Sequence, residues 1–185
     1  FAYAVGTNTF GGGPHFINIQ DPLNPTGAGG LQTTEPNVSA YSHDAQVITY
    51  NGPDSDYSGR EILIGSNEIS VVIADVTNKS NPVFISGQSY SNLGFTHQGW
   101  FTEDMRYFIL GDELDEINFG NQTRTIVMDL EDLDNPQIHT SYFGPTGAID
   151  HNGYVLNNRY YLANYTAGLR VISINNIANQ VMNEI

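Results

Sequence analysis

Residues 71–82 read VVIADVTNKSNP, and the pattern of residues 73–82 recurs three more times along the chain. The other copies are FINIQDPLNP at 16–25, VMDLEDLDNP at 127–136 and VISINNIANQ at 171–180, the last without the proline. A short run of β-branched and aromatic residues bounded by Asn, Asp and Pro is typical of a strand that ends in a turn. Proline cannot continue a central strand. The element therefore predicts a repeated strand, a turn and a following strand.

Three histidines, His43, His97 and His151, begin three further similar segments and are separated by 54 residues each. Each is followed by an apolar run and then by a second apolar segment, so that one repeat carries four predicted strands. Four strands in this length are typical of a β-propeller blade, whose repeats commonly span about 40–50 residues. A flat β-solenoid is the alternative, although its repeats are shorter. The chain is therefore predicted to be all-β, a β-propeller fragment of four-stranded blades.

The repeat divides the chain into parts of one incomplete propeller domain. Residues 1–40 are expected to be the end of one blade plus a connector, 41–95 and 96–149 to be blades, and 150–185 to be a partial blade. The first six residues, FAYAVG, have the pattern of the interior of a strand. Since propellers have about 4–8 blades, we expect the ring to be completed by the remainder of its own propeller or by other chains.

The composition restricts the classes of partner. Twenty acidic residues against six basic ones give a net charge of −14, which disfavours nucleic acid and anionic membrane surfaces. The chain has no Cys, so neither a disulfide nor a Cys-based metal site is available. No apolar run approaches the roughly 18 residues of a membrane span, so we expect no membrane insertion in this segment.

Several motifs between residues 41 and 174 together resemble one family of surface proteins. They are the strand-turn element VVIADVTNxxNP and the blade openings SHDAQV at 42–47, THQGW at 96–100 and IDHN at 149–152. In combination they resemble the LVIVD repeat and the choice-of-anchor B family. The resemblance implies a propeller that is secreted and held at the extracellular cell surface. It implies no established activity.

The three repeated histidines are candidate metal ligands. In a blade, the loop that enters the first strand and the loop that joins the second and third strands lie on the same face. This places His43, His97 and His151 around the mouth of the central channel, with Asp112 and Glu113 beside them. Imidazole and carboxylate groups are ligands of Zn²⁺ and similar divalent metals. The alternative is that each histidine locks neighbouring blades by hydrogen bonding, and the spacing fits both.

Two weaker sites are also predicted. In the segment DSDYSGRE, the carboxylates of Asp54, Asp56 and Glu61 surround a Gly turn and could supply oxygens to Ca²⁺. The EF-hand pattern is incomplete, and a solvated acidic turn is the alternative. Glu68, Trp100 and Tyr165 are predicted to contribute to a ligand face. The alternative for the aromatic rings is packing between blades.

The catalytic motifs of common enzyme classes are missing. The sequence has no Gly-x-Ser-x-Gly, no P-loop and no His-Glu-x-x-His, so no catalytic residue is assigned. We therefore expect an extracellular, cell-surface-associated binding or scaffold module for a protein or glycan partner rather than an enzyme. The alternative is a metal-dependent hydrolase with its His/carboxylate site at the channel mouth. A purely structural metal is a third possibility.

Overall fold

The computed structural model describes residues 1–185, which form fifteen strands in four antiparallel sheets that follow one another along the chain. Sheet 1 contains β1 (Ala2–Ala4), β2 (His15–Asn18) and β3 (Thr26–Gly30). Sheet 2 contains β4 (Asp44–Thr49), β5 (Glu61–Ser66), β6 (Val71–Asp75) and β7 (Val83–Gln88). Sheet 3 contains β8 (Thr96–Phe101), β9 (Tyr107–Asp112), β10 (Arg124–Asp129) and β11 (Gln137–Phe143). Sheet 4 contains β12 (Gly153–Leu156), β13 (Arg159–Ala163), β14 (Leu169–Asn176) and β15 (Val181–Glu184).

Helical structure is confined to short pieces. The helix α1 (Asp115–Phe119) joins β9 to β10. Single 3₁₀ turns lie at Phe10–Gly12, Ser55–Tyr57, Tyr165–Ala167 and Ile177–Asn179. No helix has the length and apolar character needed to cross a membrane.

The sheets follow the repeat, with one correction. Sheets 2 and 3 lie inside the expected segments 41–95 and 96–149, whereas residues 150–185, expected to hold only part of a blade, form all four strands of sheet 4. Asn157 and Asn158 have φ values of 53° and 55° and join β12 to β13 in a two-residue turn. Positive φ at both turn positions is typical of the tight hairpin turn. This short connection lets four strands fit into fewer residues than in the two preceding sheets.

The repeated strand-turn element forms the same turns in each complete copy. Asp75, at the end of β6, accepts a hydrogen bond from the backbone N–H of Thr77 at 2.9 Å. Asn78 then accepts one from the N–H of Ser80 at 3.1 Å. Side chains that accept from the N–H two residues later form Asx turns, which reverse the chain before the next strand. The other copies repeat the pair at Asn18 and Asp21, and at Asp129 and Asp132.

The core lies between the faces of successive sheets. Alternate residues of β5 point to opposite sides, so Ile62 and Ile64 pack against Phe108 of sheet 3, while Leu63 packs against sheet 1. Alternate residues of β9 likewise face sheets 2 and 4: Phe108 and Leu110 pack in the cluster with sheet 2, and Ile109 packs in the cluster with sheet 4. Both strands are buried on two faces, which explains their nearly continuous apolar sequences.

In sheets 2 and 4, a polar residue after the second strand fixes the connector from the preceding sheet. Asn67 follows β5 and donates to the carbonyl of Ser39 at 2.7 Å. Asn164 follows β13 and donates to the carbonyls of Ala148 and Ile149 at 2.9 and 2.8 Å. Both amides are buried, so these bonds hold the loop that enters the first strand of each sheet.

Candidate functional site

The three repeated histidines form a row because the first strands of sheets 2, 3 and 4 are neighbours. The side chain of Gln46 on β4 accepts from the N–H of Phe101 at 2.9 Å, and Gln98 on β8 accepts from the N–H of Gly153 at 2.8 Å. The ring centroids of His43 and His97 are 4.4 Å apart, and those of His97 and His151 are 4.2 Å apart. The sequence repeat thus brings three imidazoles from three sheets into contact.

His97 occupies the middle of this row at an irregularity of the sheet. Thr96 pairs with Asp112 and Gln98 pairs with Gly111, so His97 is the extra residue of a β-bulge. Bulges often re-aim a side chain next to a functional site. The residue is 3% exposed, and its Nδ1 atom is buried without a hydrogen-bond partner. An unpartnered buried nitrogen is unusual in a native structure.

Burial keeps His97 uncharged at neutral pH. Burial lowers the pKa of His97 to about 4. The nearby carboxylate of Glu113 raises this pKa but offsets only part of the effect of burial, and the imidazoles of His151 and His43 lower it further. A neutral imidazole has a free lone pair. The ring is therefore in the state that binds a metal ion.

Glu113 lies between the second and third histidines of the row. Its Oε2 is 3.4 Å from Nε2 of His97, and its Oε1 is 3.7 Å from Nε2 of His151. Tyr165 donates its hydroxyl to Oε1 of Glu113 and stands edge-on to the ring of His151, at a centroid distance of 5.1 Å. This hydrogen bond raises the pKa of Tyr165, because the phenol must keep its proton to donate it.

The ligand atoms of His97, Glu113 and His151 all lie within 4.8 Å of one another. Two nitrogens and a carboxylate oxygen at this spacing are a donor set that Zn²⁺ and similar divalent ions accept. Three protein ligands leave a coordination position for water or another molecule. We call these three candidate metal ligands the metal cluster. His43, also predicted as a metal ligand, packs at an angle against the ring of His97 and lies outside the cluster.

Asp112 was also predicted as a metal ligand, but its carboxylate binds backbone N–H groups instead. It is fully buried, and its two carboxylate oxygens accept from the N–H groups of Gly94 and Phe95, each at 2.7 Å. It also accepts from the N–H groups of Leu114 and Asp115, each at 3.1 Å. The residue occupies the place that Asn67 and Asn164 hold in the other sheets and fixes the connector.

A buried group of charged residues lies behind the metal cluster and was not predicted as a unit. Arg124 donates from Nε to Asp115 at 2.5 Å, and its backbone N–H donates to Glu116 at 3.0 Å. Burial and the adjacent Asp115 carboxylate raise the pKa of Glu116 to about 8. Asp150 is also fully buried, and burial raises its pKa well above the usual range of a carboxyl group. One atom each of Asp115, Glu116 and Asp150 has no hydrogen-bond partner.

The residues predicted for calcium are not brought together. Asp54 lies with Asp132 and Asp134 of the following sheet, within 4.8 Å between ligand atoms. Asp56 is outside this group and donates its backbone N–H to Asp54. Glu61 lies on β5, where it pairs with Lys79 at 2.7 Å. Asp132 and Asp134 could not be predicted as neighbours of Asp54, because they belong to the turn of a different repeat.

The three residues predicted for a ligand face do not lie together. Tyr165 lies beside the metal cluster, as described above. Trp100 lies three residues beyond His97 on β8, roughly 10 Å along the strand, and packs edge-on against Tyr154 at 4.9 Å. Glu68 follows β5 with a φ of 58° and accepts a hydrogen bond from Ser39 at 3.3 Å. Its backbone forms a bridge with Thr96, next to His97. Of the three, Tyr165 is the one whose side chain contacts the metal cluster.

Fold and site together define an all-β protein of repeated antiparallel sheets with a His/carboxylate cluster where the first strands begin. No family model and no curated protein matches the chain.

Proposed function

We propose that the four sheets are successive blades of a β-propeller and that the protein is a binding module that holds a divalent transition metal at the metal cluster. The propeller assignment is supported by the four antiparallel strands per repeat and by the first strands lying side by side. The metal assignment is carried by one observation. The ligand atoms of His97, Glu113 and His151 converge within 4.8 Å around a histidine that is buried and uncharged.

The module acts at the extracellular cell surface and presents the metal-bearing face to a protein or glycan partner. Its resemblance to the choice-of-anchor B family supports this location. The net charge of −14 supports a function based on cations, because an acidic surface raises the local concentration of positive ions. The remainder of the propeller, or other chains, supplies the sheets that complete the ring.

Titration of metal-free protein with Zn²⁺ is expected to show about one tight site. His97→Ala and Glu113→Gln should each weaken binding by at least about 100-fold, since loss of a direct ligand costs no less than loss of a group that merely orients one. Glu113→Gln is the gentler change, because the Glu113 side chain is 24% exposed and the amide is isosteric. Calorimetry with elemental analysis measures both stoichiometry and affinity.

His15→Ala is the matched control. His15 lies on sheet 1, contacts Thr9 at 3.1 Å and packs against Phe10, away from the imidazole row. Its replacement should leave the affinity unchanged. Equal Zn²⁺ affinity in wild type, His97→Ala and Glu113→Gln would contradict the assignment. Absence of binding would leave the histidines as residues that lock the sheets together.

A metal-dependent hydrolase is the second candidate, favoured by the coordination position that three protein ligands leave open. For this candidate, the Zn²⁺-loaded protein should hydrolyse an activated ester such as p-nitrophenyl acetate, with a rate at least about 10-fold lower in His97→Ala. Free Zn²⁺ at the same concentration gives the background. A protein that binds Zn²⁺ but does not exceed this background is a binding module toward that ester class.

A further inference from the structure

A pocket of 370 Å³ adjoins the metal cluster and shares His151 with it. Its other lining residues are Ala163, Asn164, Tyr165, Gly168 and Leu169. The amide of Asn164 is already bonded to the connector carbonyls. The other polar side chains that line the pocket are the imidazole of His151 and the hydroxyl of Tyr165, which donates its proton to Glu113, and the rest of the wall is apolar.

The apolar part of this pocket is accessible. Leu169 is 69% exposed and Tyr165 is 52% exposed. The space beside Gly168 is open, since a Cβ added there would meet no atom within 4 Å. Large apolar side chains grouped next to a polar site are characteristic of ligand pockets. Their burial by a bound molecule would be favourable because it removes apolar surface from water.

Tyr165 is held over the metal cluster by an unfavourable backbone conformation. Its φ is 34°, a value that a bulky aromatic residue rarely adopts. Strained residues of this kind cluster at sites where the strain positions a functional group. Here the strain places the hydroxyl against the carboxylate of Glu113 and the ring edge against His151.

The electrostatics of the pocket make binding of an anion depend on the metal. No Lys or Arg lines the pocket, and the chain carries a net charge of −14. A free anion is therefore repelled unless a cation occupies the metal cluster. A bound divalent ion with three protein ligands would attract an anionic oxygen donor to its open position.

We propose that this pocket binds a small ligand with an anionic oxygen-donor head, such as a carboxylate or hydroxamate, and a compact apolar body. The head completes the coordination of the metal beside the hydroxyl of Tyr165. The apolar body lies against Leu169 and Ala163. This assignment rests on the proposed metal site and adds to it the class of ligand.

The test compares two hydroxamates that share a head group and differ in the apolar body. Acetohydroxamate and benzohydroxamate are titrated into the Zn²⁺-loaded protein, and into the Co²⁺-loaded protein as a spectroscopic check of coordination. Benzohydroxamate should bind at least about 10-fold more tightly, since its ring buries additional apolar surface. Leu169→Ser should remove this difference. Tyr165→Phe should weaken both ligands, because it removes the hydrogen bond that orients Glu113. Leu169→Ser should leave the Zn²⁺ stoichiometry unchanged.

Leu156→Ser is the matched control, because Leu156 is also an exposed leucine of sheet 4, at 57%, and does not line the pocket. It should retain the preference for benzohydroxamate. If one equivalent of Zn²⁺ binds but the two hydroxamates bind equally, or Leu169→Ser keeps the preference, the pocket assignment is wrong and the metal site stands. If no Zn²⁺ binds, the proposed function itself fails and the ligand site fails with it.

Discussion

Replacing Arg124 with Met is expected to lower the free energy of unfolding by about 3–5 kcal/mol, because the change leaves a buried carboxylate without its partner. Arg124 is 6% exposed and its only acidic side-chain partner, Asp115, is fully buried. The guanidinium also donates to the carbonyls of Ser91 and Asn92, at 2.9 and 2.8 Å. One side chain thus holds α1 and the connector between sheets 2 and 3. Urea denaturation followed by circular dichroism measures the loss.

Arg170→Met supplies the comparison. Arg170 pairs with Glu184 at 2.5 Å, but the side chains are 18% and 35% exposed and the pair bridges neighbouring strands at the edge of sheet 4. A pair with this much solvent access contributes roughly 1 kcal/mol or less. A loss at Arg124 no larger than the loss at Arg170 would show that the buried pair does not stabilise the connector.

A double variant separates the ion pair from the other contacts of Arg124. Replacing both partners, Arg124→Met with Asp115→Leu, removes the orphaned charge that the single change creates. The double variant should therefore be more stable than Arg124→Met alone. Strictly additive losses would mean that the two side chains do not interact.

The strand content and the turns were predictable because they depend on local residue chemistry. The motif at residues 73–82 combines an apolar run with two Asx turns, and both features are visible in the sequence.

The pairing register of the second and third strands could not be predicted from the aligned repeats. The sequence aligns Arg60 with Arg106, and each does bond the Asp at the end of the third strand. The backbone pairing instead places Ile62 opposite Asp75 and Tyr107 opposite Asp129, a shift of one residue. Arginine is long enough to reach its partner from either position.

The metal cluster was predictable in part, because the repeat spacing and the residue types are visible in the sequence. The 54-residue spacing identified the imidazole row, and residue chemistry suggested Glu113. Which of Glu113 and Asp112 is free to bind a metal depends on which carboxylate accepts hydrogen bonds from the connector N–H groups. That is a property of the tertiary structure. The bulge at His97 has no sequence signal, although it sets the direction of the ring.

The acidic segment after β9 shows the limit of reasoning from composition. In a chain with twenty acidic residues, DELDE reads as a solvated turn. The structure instead buries Asp115 and Glu116 on α1, because Arg124, nine residues after Asp115, supplies the opposite charge. Such long-range compensation cannot be read from the local sequence.

The buried Glu116 predicts that the protein loses stability as the pH rises. Burial, followed by the effect of Asp115, raises the pKa of Glu116 to about 8, whereas a glutamate in an unfolded chain titrates near 4.3. Between these values the folded state holds a proton that the unfolded state has released. The free energy of unfolding therefore falls as the pH rises through this window. Below about pH 4.3 both states are protonated and the favourable contribution is complete. It is lost as the pH rises through 8.

Glu116→Gln isolates this contribution, because the amide keeps the shape of the protonated acid and does not titrate. The groups around it, Asp112, Asp115, Arg124 and Asp150, remain in both proteins and cancel in the comparison. In metal-free protein, the variant should match wild type near pH 4.5 and exceed it by roughly 4 kcal/mol at pH 8.5. Glu131→Gln is the control, since its side chain is 66% exposed and should leave the pH dependence unchanged. Parallel curves of stability against pH for wild type and Glu116→Gln would mean that Glu116 is ionised in the folded protein. Convergence at low pH with divergence at high pH would show that the fold keeps this carboxyl group neutral behind the metal cluster.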